Sequence, residues 1–391
     1  MTFTFLIIAV SGLVILEIAL NHRQQSRGIA EARRRRQRLS QFPSISVIRP
    51  VRGADVGAAE NYAAALDTGY PGEVETIFVF DDETDPGYPI AAAAVEKHRA
   101  SGGHGSASLI VAGQPPRGVT GKLHAMMVGE RAATHELIAF GDSDTRPDQE
   151  VLRATVETLL TTPKAGCSFA PVVCNQPAQK AGDVGYATLI NAWYGPSVAT
   201  ASCKTGDVPF IMGQLMVFTR DCLRDIGGVS CARGHLVDDM AIGHCVVEKG
   251  WRNVMAPHPL YIATGGMDII GFFGLFRRWL LFSRNGLPFD FVRPMWLRGI
   301  EFWVATASFV FALYTHHWLA ALAPAAALGV FQWSCLSIGR QFGGARVALQ
   351  HWWVPFFLPV IAPIEVGVSM VHKKVDWRGR AYELDANARL A

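Results

Sequence analysis

The seven cysteines (Cys167, Cys174, Cys203, Cys222, Cys231, Cys245 and Cys335) contain no Cys-x-x-Cys pair, and their number is odd. That leaves no basis for a disulfide framework and no zinc-ligand spacing, whether among the cysteines or between Cys167, Cys174 and His235 or His244. They read as small core residues in a reducing compartment. Charge is also scarce: Asp, Glu, Lys and Arg make up 18% of the 391 residues and leave a net +3. The basic residues are clustered rather than spread, so nucleic acid is not an expected partner. No basic residue precedes the first apolar run and no small-residue cleavage site follows it, which argues against a removable signal peptide.

Apolar residues, by contrast, are abundant, at 50% of the chain with a mean hydropathy of +0.20. A membrane component is expected. Phe3 to Leu20 is an apolar run of the length that crosses a hydrocarbon core of about 30 Å as a helix. Arg23, Arg27, Arg33 to Arg36 and Arg38 follow it, which by the positive-inside rule puts the amino terminus outside and the rest in the cytoplasm. The same arginines suit anionic head groups.

Ile269 to Arg284 is short, aromatic and interrupted by Arg277 and Arg278, so it reads either as an interfacial amphipathic helix or as a buried core helix. Ile300–Tyr314, Trp318–Ile338 and Trp352–Val371 are three more apolar segments, with Trp296, Trp303, Trp318, Trp352 and Trp353 near their ends as in an aromatic belt. If all three span, the basic tail from Lys373 falls outside, against the positive-inside rule. Pro355, Pro359 and Pro363 make the last segment the candidate for a re-entrant or kinked piece that returns the tail to the cytoplasm.

Between these regions the pattern is α/β. Strands are expected at Ile45–Ile48, Val74–Phe80, Ser108–Val111 and Leu137–Phe140, alternating with helices near Glu60–Leu66, Ala91–Arg99 and Lys122–Ala133. That alternation predicts a largely parallel sheet with right-handed crossovers. Phe210–Thr219 reads as another strand or buried segment, and helices follow at Asp221–Ile226 and from Asp238 to Glu248.

Three acidic clusters stand where ligands bind such sheets: Asp81-Asp82-Glu83 with Asp85, Asp142-Ser143-Asp144, and Asp238-Asp239. Taken singly, Asp142-Ser143-Asp144 reads as a turn or a helix cap, and Asp238-Asp239 as a helix cap. Together with a basic aromatic segment and a membrane-embedded tail they suggest transfer from a phosphate-bearing donor to a lipid. Asp142 and Asp144 suit a hard divalent cation that takes up charge on a diphosphate leaving group. Asp82 suits the base or ribose of a nucleoside, and Arg277 or Arg278 the diphosphate oxygens. A carboxylate opposite the leaving group must deprotonate the acceptor hydroxyl; Asp239 is the candidate, with Asp238 second.

The succession Phe80-Asp81-Asp82 with Asp85-Pro86, Gly141-Asp142-Ser143-Asp144, Asp238-Asp239 and Arg278-Trp279 resembles the D,D,D,(Q/R)xxRW signature of membrane-bound inverting GT-A glycosyltransferases, and within them the ceramide glucosyltransferase family. Ile48-Arg49-Pro50-Val51-Arg52-Gly53-Ala54-Asp55, Tyr70-Pro71, Lys122, Gly250-Trp251-Arg252 and Trp377-Arg378-Gly379-Arg380-Ala381-Tyr382 fit as well, so the likeness covers the whole chain. It departs from the pattern at Leu275, where the signature has Gln or Arg.

The resemblance implies a GT-A nucleotide-diphospho-sugar transferase fold, a UDP-sugar donor with Mg2+ or Mn2+, inversion, and a membrane lipid acceptor, ceramide before a hopanoid or polyprenyl lipid receiving N-acetylglucosamine. It gives Asp82, Asp142 and Asp239 the three family positions, Asp142 rather than Asp144 the direct match, and Lys122, Arg278 and Trp279 places in donor binding. A processive polysaccharide synthase and a non-catalytic lipid-binding scaffold are the rival readings. The expected division is an anchor over 1–22, a basic linker over 23–42, the catalytic domain over 43–268, an interfacial helix over 269–290 and a membrane region with a basic tail over 291–391. The expected location is a bacterial plasma membrane, with the catalytic domain cytoplasmic.

Overall fold

The computed structural model describes residues 2–35, 38–283, 289–371, 374–385 and 389–390; Arg36, Arg284 and Lys373 of the expectations above lie outside them. The chain opens with α1 (Thr2–Arg34), one continuous helix where an anchor and a separate linker were expected. Nothing breaks it: the first proline is Pro43. Ile18, Asn21, Gln25, Gly28, Ile29 and Ala32 recur at three- and four-residue spacing as a buried stripe, so the basic segment stays helical because it has a face to bury.

β1 (Ile45–Pro50), α2 (Ala58–Leu66), β2 (Val74–Phe80), α3 (Tyr88–Ala100), β3 (Ser106–Val111), α4 (Gly121–Ala132) and β4 (Leu137–Gly141) then alternate as expected. Their strands pair in parallel. β5 (Thr145–Arg146), α5 (Val151–Thr161), β6 (Ala165–Phe169), β7 (Val172–Val173), α6 (Ala181–Thr188) and α7 (Gly195–Thr205) lead to β8 (Leu215–Thr219). β8 lies antiparallel between β4 and β6. It begins at Leu215 rather than Phe210. After α8 (Arg220–Ile226) and α9 (Asp238–Glu248), β9 (Arg252–Met255) pairs in parallel with β6, and β10 (Leu260–Ile262) joins β5 and β7 in a small second sheet. The main sheet runs β3-β2-β1-β4-β8-β6-β9. The chain winds outward from β1 in one direction, then resumes on its other side at β4. That reversal opens a crevice at the carboxyl ends of β1 and β4.

Four helices are long and apolar enough to cross a membrane: Thr2–Arg34, Phe291–Tyr314, Leu322–Phe342 and Leu349–Ser369. The carboxyl-terminal region comprises α10 (Ile269–Ser283), α11 (Phe289–Tyr314), α12 (Leu322–Phe342), α13 (Val354–Val371) and a hairpin of β11 (Lys374–Trp377) and β12 (Arg380–Glu383). α1 packs on α11 and α12. Buried polar groups join them: Arg298 donates to Gln25 (2.8 Å), Gln25 to Asn21 (3.1 Å) and Asn21 to Glu301 (3.2 Å). α13 packs mainly on α10 and α6 and more lightly on α11 and α12, and its internal prolines are Pro359 and Pro363. The hairpin beyond it touches Asp55 and Asp81 of the α/β unit. Tail and α/β unit therefore lie on one side, which requires an even number of crossings among α11, α12 and α13.

Candidate active site

A cavity of ≈ 550 Å³ opens at the carboxyl ends of β1, β2 and β4, lined by Asp81, Lys122, Asp142, Asp144, Asp238, Asp239, Arg278 and Trp279. β4 is buried along its whole length, so its apolar residues hold it in mid-sheet and the chain emerges at Asp142. There the Thr145 N–H (3.3 Å) and hydroxyl (2.7 Å) donate back to the Asp142 carbonyl. Arg49, at the end of β1 and 2% exposed, donates to the same carbonyl (2.5 Å) and to the carbonyl of Thr145 (3.2 Å). Burial pulls the Arg49 guanidinium down to about 10, opposed by Asp142, so it remains charged at neutral pH. The Asp144 carbonyl accepts from Ala263 N–H (3.0 Å), just beyond β10. This stretch is a stapled turn and not a helix cap; α5 starts later, with Asp148 accepting from the N–H groups of Glu150 and Val151 (3.0 Å each).

Lys122, in the first turn of α4, stands among the carboxylates, its Nζ 2.7 Å from Asp142 Oδ1 and 4.0 Å from Asp238 Oδ2. Burial alone would lower its pKa; Asp142, Asp238 and Asp239 together outweigh burial and raise it. One lysine does not compensate four acids. Asp144 is pushed up to about 6 by burial, then by Asp142 and Asp55, and Asp239 to about 7 by burial, then by Asp238. Asp238 is raised as well, by burial first. The Asp144 side chain is still 38% exposed, so water in the open cavity screens part of that effect.

Asp239 lies on the first turn of α9, where the helix dipole favours a carboxylate. Its Oδ1 accepts from the Met240 N–H (2.8 Å) and its Oδ2 from the Gly213 N–H (2.9 Å). Position 213 must be glycine for this approach: a Cβ there would stand 2.6 Å from Oδ2. Val237, not an aspartate, occupies the cap position of α9, and no side chain caps it. Both acids are thus released from a capping role.

Two expected site residues fall elsewhere. Asp82 does not line the cavity; it turns outward and accepts from the Thr84 N–H (2.9 Å) and hydroxyl, which hold its carboxyl below the usual range. Asp81 takes the inward position, paired with Arg52 and, at 3.0 Å, with Arg380. Arg277 does not line the cavity; it pairs with Glu365 of α13 (2.7 and 3.2 Å). Arg278 is the one that reaches the cavity. Trp279 does too, with its ring edge-to-face on Tyr194 (5.1 Å) and Tyr186 (6.3 Å). Tyr194 ends a π-helical turn, Leu189–Tyr194, an irregularity common at functional sites. Sequence reasoning missed Arg49, Arg52, Arg378 and Arg380; the tail pattern Trp377-Arg378-Gly379-Arg380 was visible, but its destination was not.

Among the described residues no group of three or more His, Cys, Asp or Glu side chains comes together as a metal shell. Asp142 and Asp144 nevertheless suit a cation that shares its shell with substrate phosphates. Asp144 Oδ1 is buried and has no hydrogen-bond partner among the described residues, whereas Asp142 is taken by Lys122. The open oxygen therefore belongs to Asp144, the carboxylate the resemblance ranked second.

A mostly parallel sheet with acids converging at its switch point, backed by apolar helices, is an architecture of GT-A type. A mannosyltransferase from Pyrobaculum calidifontis, solved with GDP-Man and Mn2+, shares the fold with a TM-score of 0.50 at 16% identity, over 90% of this chain and 99% of that one. The model of glycosyl transferase family 21 matches residues 4–390, and the chain belongs to that family. "Ceramide glucosyltransferase 3" of Caenorhabditis elegans is 22% identical over 251 residues, 64% of this chain. The match spans about half of that relative, 52% of its length.

Proposed function

We propose that this glycosyltransferase moves glucose from a UDP-sugar to the hydroxyl of a membrane lipid, ceramide, inverting the anomeric centre. The observation that carries the reading is the placement of Asp239 and the Asp142–Asp144 pair on one cavity. Leu236, Val237, Met240 and Leu275 give that cavity an apolar wall beside Asp239, suited to a lipid. The name of the curated relative supports the choice of glucose and ceramide.

In this reading Asp239 takes the proton from the acceptor hydroxyl as that oxygen attacks the sugar. Its raised pKa keeps it basic enough for the task near neutral pH, and the Gly213 and Met240 N–H groups fix its direction. Asp142 and Asp144 hold a divalent cation, Mg2+ or Mn2+, which supplies charge neutralisation for the leaving diphosphate. Lys122 orients Asp142. Asp81, carried on two arginines, takes the nucleoside role first given to Asp82. Trp279 and the tyrosines behind it close the cavity and exclude water. A single displacement with one base opposite the leaving group gives inversion.

Of the three carboxyl-terminal helices, α11 and α12 cross the membrane, while α13 stays with the interfacial α10, tied by the Arg277–Glu365 pair. This satisfies the even count, and the arginines of α1 support a cytoplasmic catalytic unit. The test is a transfer assay with the full-length protein in liposomes, supplied with labelled UDP-glucose and ceramide. Glucosylceramide of inverted configuration is expected. Transfer only from another donor, or only to another lipid, would replace the substrates, and no transfer from any donor would overturn the reading.

A further inference from the structure

The carboxyl-terminal hairpin forms its own two-stranded sheet, yet its tip enters the cavity. Trp377 pairs with Arg380, leaving Arg378-Gly379 as a two-residue turn. Both turn residues have positive φ, 55° and 72°, the primed geometry that normally selects Asn or Gly first. An arginine held in left-handed backbone is strained, and such strain persists where its side chain is needed. Here it aims a guanidinium inward. Arg378 Nη1 lies 2.5 Å from Asp55 Oδ1 and 2.9 Å from the Arg52 carbonyl, and Nη2 lies 3.7 Å from Asp144 Oδ2.

Two further features show an unmet demand for an anion. Burial, with the neighbouring Arg378 charge, lowers the Arg278 pKa, so two guanidiniums on separate elements press on one another beside Asp144. Arg380 donates through Nη2 to Gln114 (2.7 Å) and Asp81 (3.0 Å), while its Nη1 is buried without a partner among the described residues. That Nη1 lies against Gly121, where a Cβ would come within 2.1 Å of it. This is the amino-terminal end of α4, where the helix dipole also favours negative charge. The hairpin is held in place by the Gly121 N–H donating to the Tyr382 hydroxyl (3.3 Å) and the Leu390 N–H donating to the Gly234 carbonyl (2.9 Å).

We propose that the hairpin is the diphosphate clamp of the donor site, with Arg378 and Arg380 as the phosphate-binding residues. The inference rests on the nucleotide-sugar reading of the same cavity. A guanidinium prefers the bidentate geometry of a phosphate, so an arriving diphosphate draws Arg378 from Asp144 and frees that carboxylate.

The test titrates the full-length protein in nanodiscs, with Mn2+, against UDP and uridine and against GDP and guanosine, for wild type, Arg378→Gly and Arg380→Ala. Glycine suits the positive φ of position 378, so Arg378→Gly keeps the turn while removing the guanidinium. The expected result is a loss of at least about tenfold in affinity for the nucleoside diphosphate in each variant, with nucleoside affinity unchanged in Arg378→Gly, whose side chain does not touch Asp81. Unchanged diphosphate affinity in both variants would make the hairpin a structural brace and overturn the clamp. Tighter binding would make it an inhibitory plug, which also overturns it. A wild-type protein that binds no nucleoside diphosphate would instead remove the donor reading beneath it.

Discussion

Asp81-Asp82 and Asp238-Asp239 are the same dipeptide in two electrostatic settings. At the end of β2, Asp81 faces the cavity with Arg52 and Arg380 upon it, and Asp82 is left to a local turn with Thr84. At the start of α9 both acids lie in the cavity region, with Lys122 as their shared cation 4.0 Å from Asp238. The first pair is over-compensated and suits holding a ligand. The second is under-compensated, and Asp239, pushed up to about 7, suits moving a proton. In the proposed function, charge balance rather than residue type separates binding from catalysis.

Breaking the under-compensated side has the largest expected effect. Asp239→Asn lowers kcat/KM for sugar transfer by about 10²- to 10⁴-fold, the range a positioned base contributes, while nucleotide affinity measured by titration stays at the wild-type value. Chelating divalent ions with EDTA lowers turnover by about a thousandfold, the several kcal/mol expected of a cation at a leaving diphosphate, and Mn2+ restores it; Asp144→Asn raises the Mn2+ concentration needed. On the over-compensated side, Asp81→Asn raises the donor KM about tenfold by weakening a charge-assisted pair, with kcat nearly unchanged. Arg277→Ala leaves donor KM unchanged and costs about 1–3 kcal/mol of stability in a denaturation assay, since it leaves the buried Glu365 unsatisfied. Asp82→Asn is the smallest, with no change in KM or kcat.

The comparison also explains what the sequence could and could not disclose. β1 to β4 with their intervening helices were legible because apolar runs of strand length alternate with helical stretches. The acids at their ends followed directly. Which of Asp81 and Asp82 faces inward was not legible, because every residue of β2 except Glu75 is buried; a strand covered on both faces has no inside-outside alternation to extrapolate. Arg277 and Arg278 posed the same one-residue ambiguity on a helix whose neighbours were unknown. Arg49 and Arg378 act across 93 and 326 residues of sequence, and no local pattern carries such a pairing. Glu365 explains the fate of Arg277, but a lone acid in an apolar proline-bearing segment gives no sign of its partner.

The most direct test of the claim that Asp239 is an under-compensated base is the pH dependence of kcat/KM for the wild-type enzyme under metal-saturated conditions. A base must be ionised to act, so activity is full above its pKa and falls as pH drops through it. The account predicts an acid limb of unit slope centred near the value of about 7 that burial and Asp238 impose on Asp239. A profile that stays flat down to the ordinary carboxylate range, about pH 4, would contradict it.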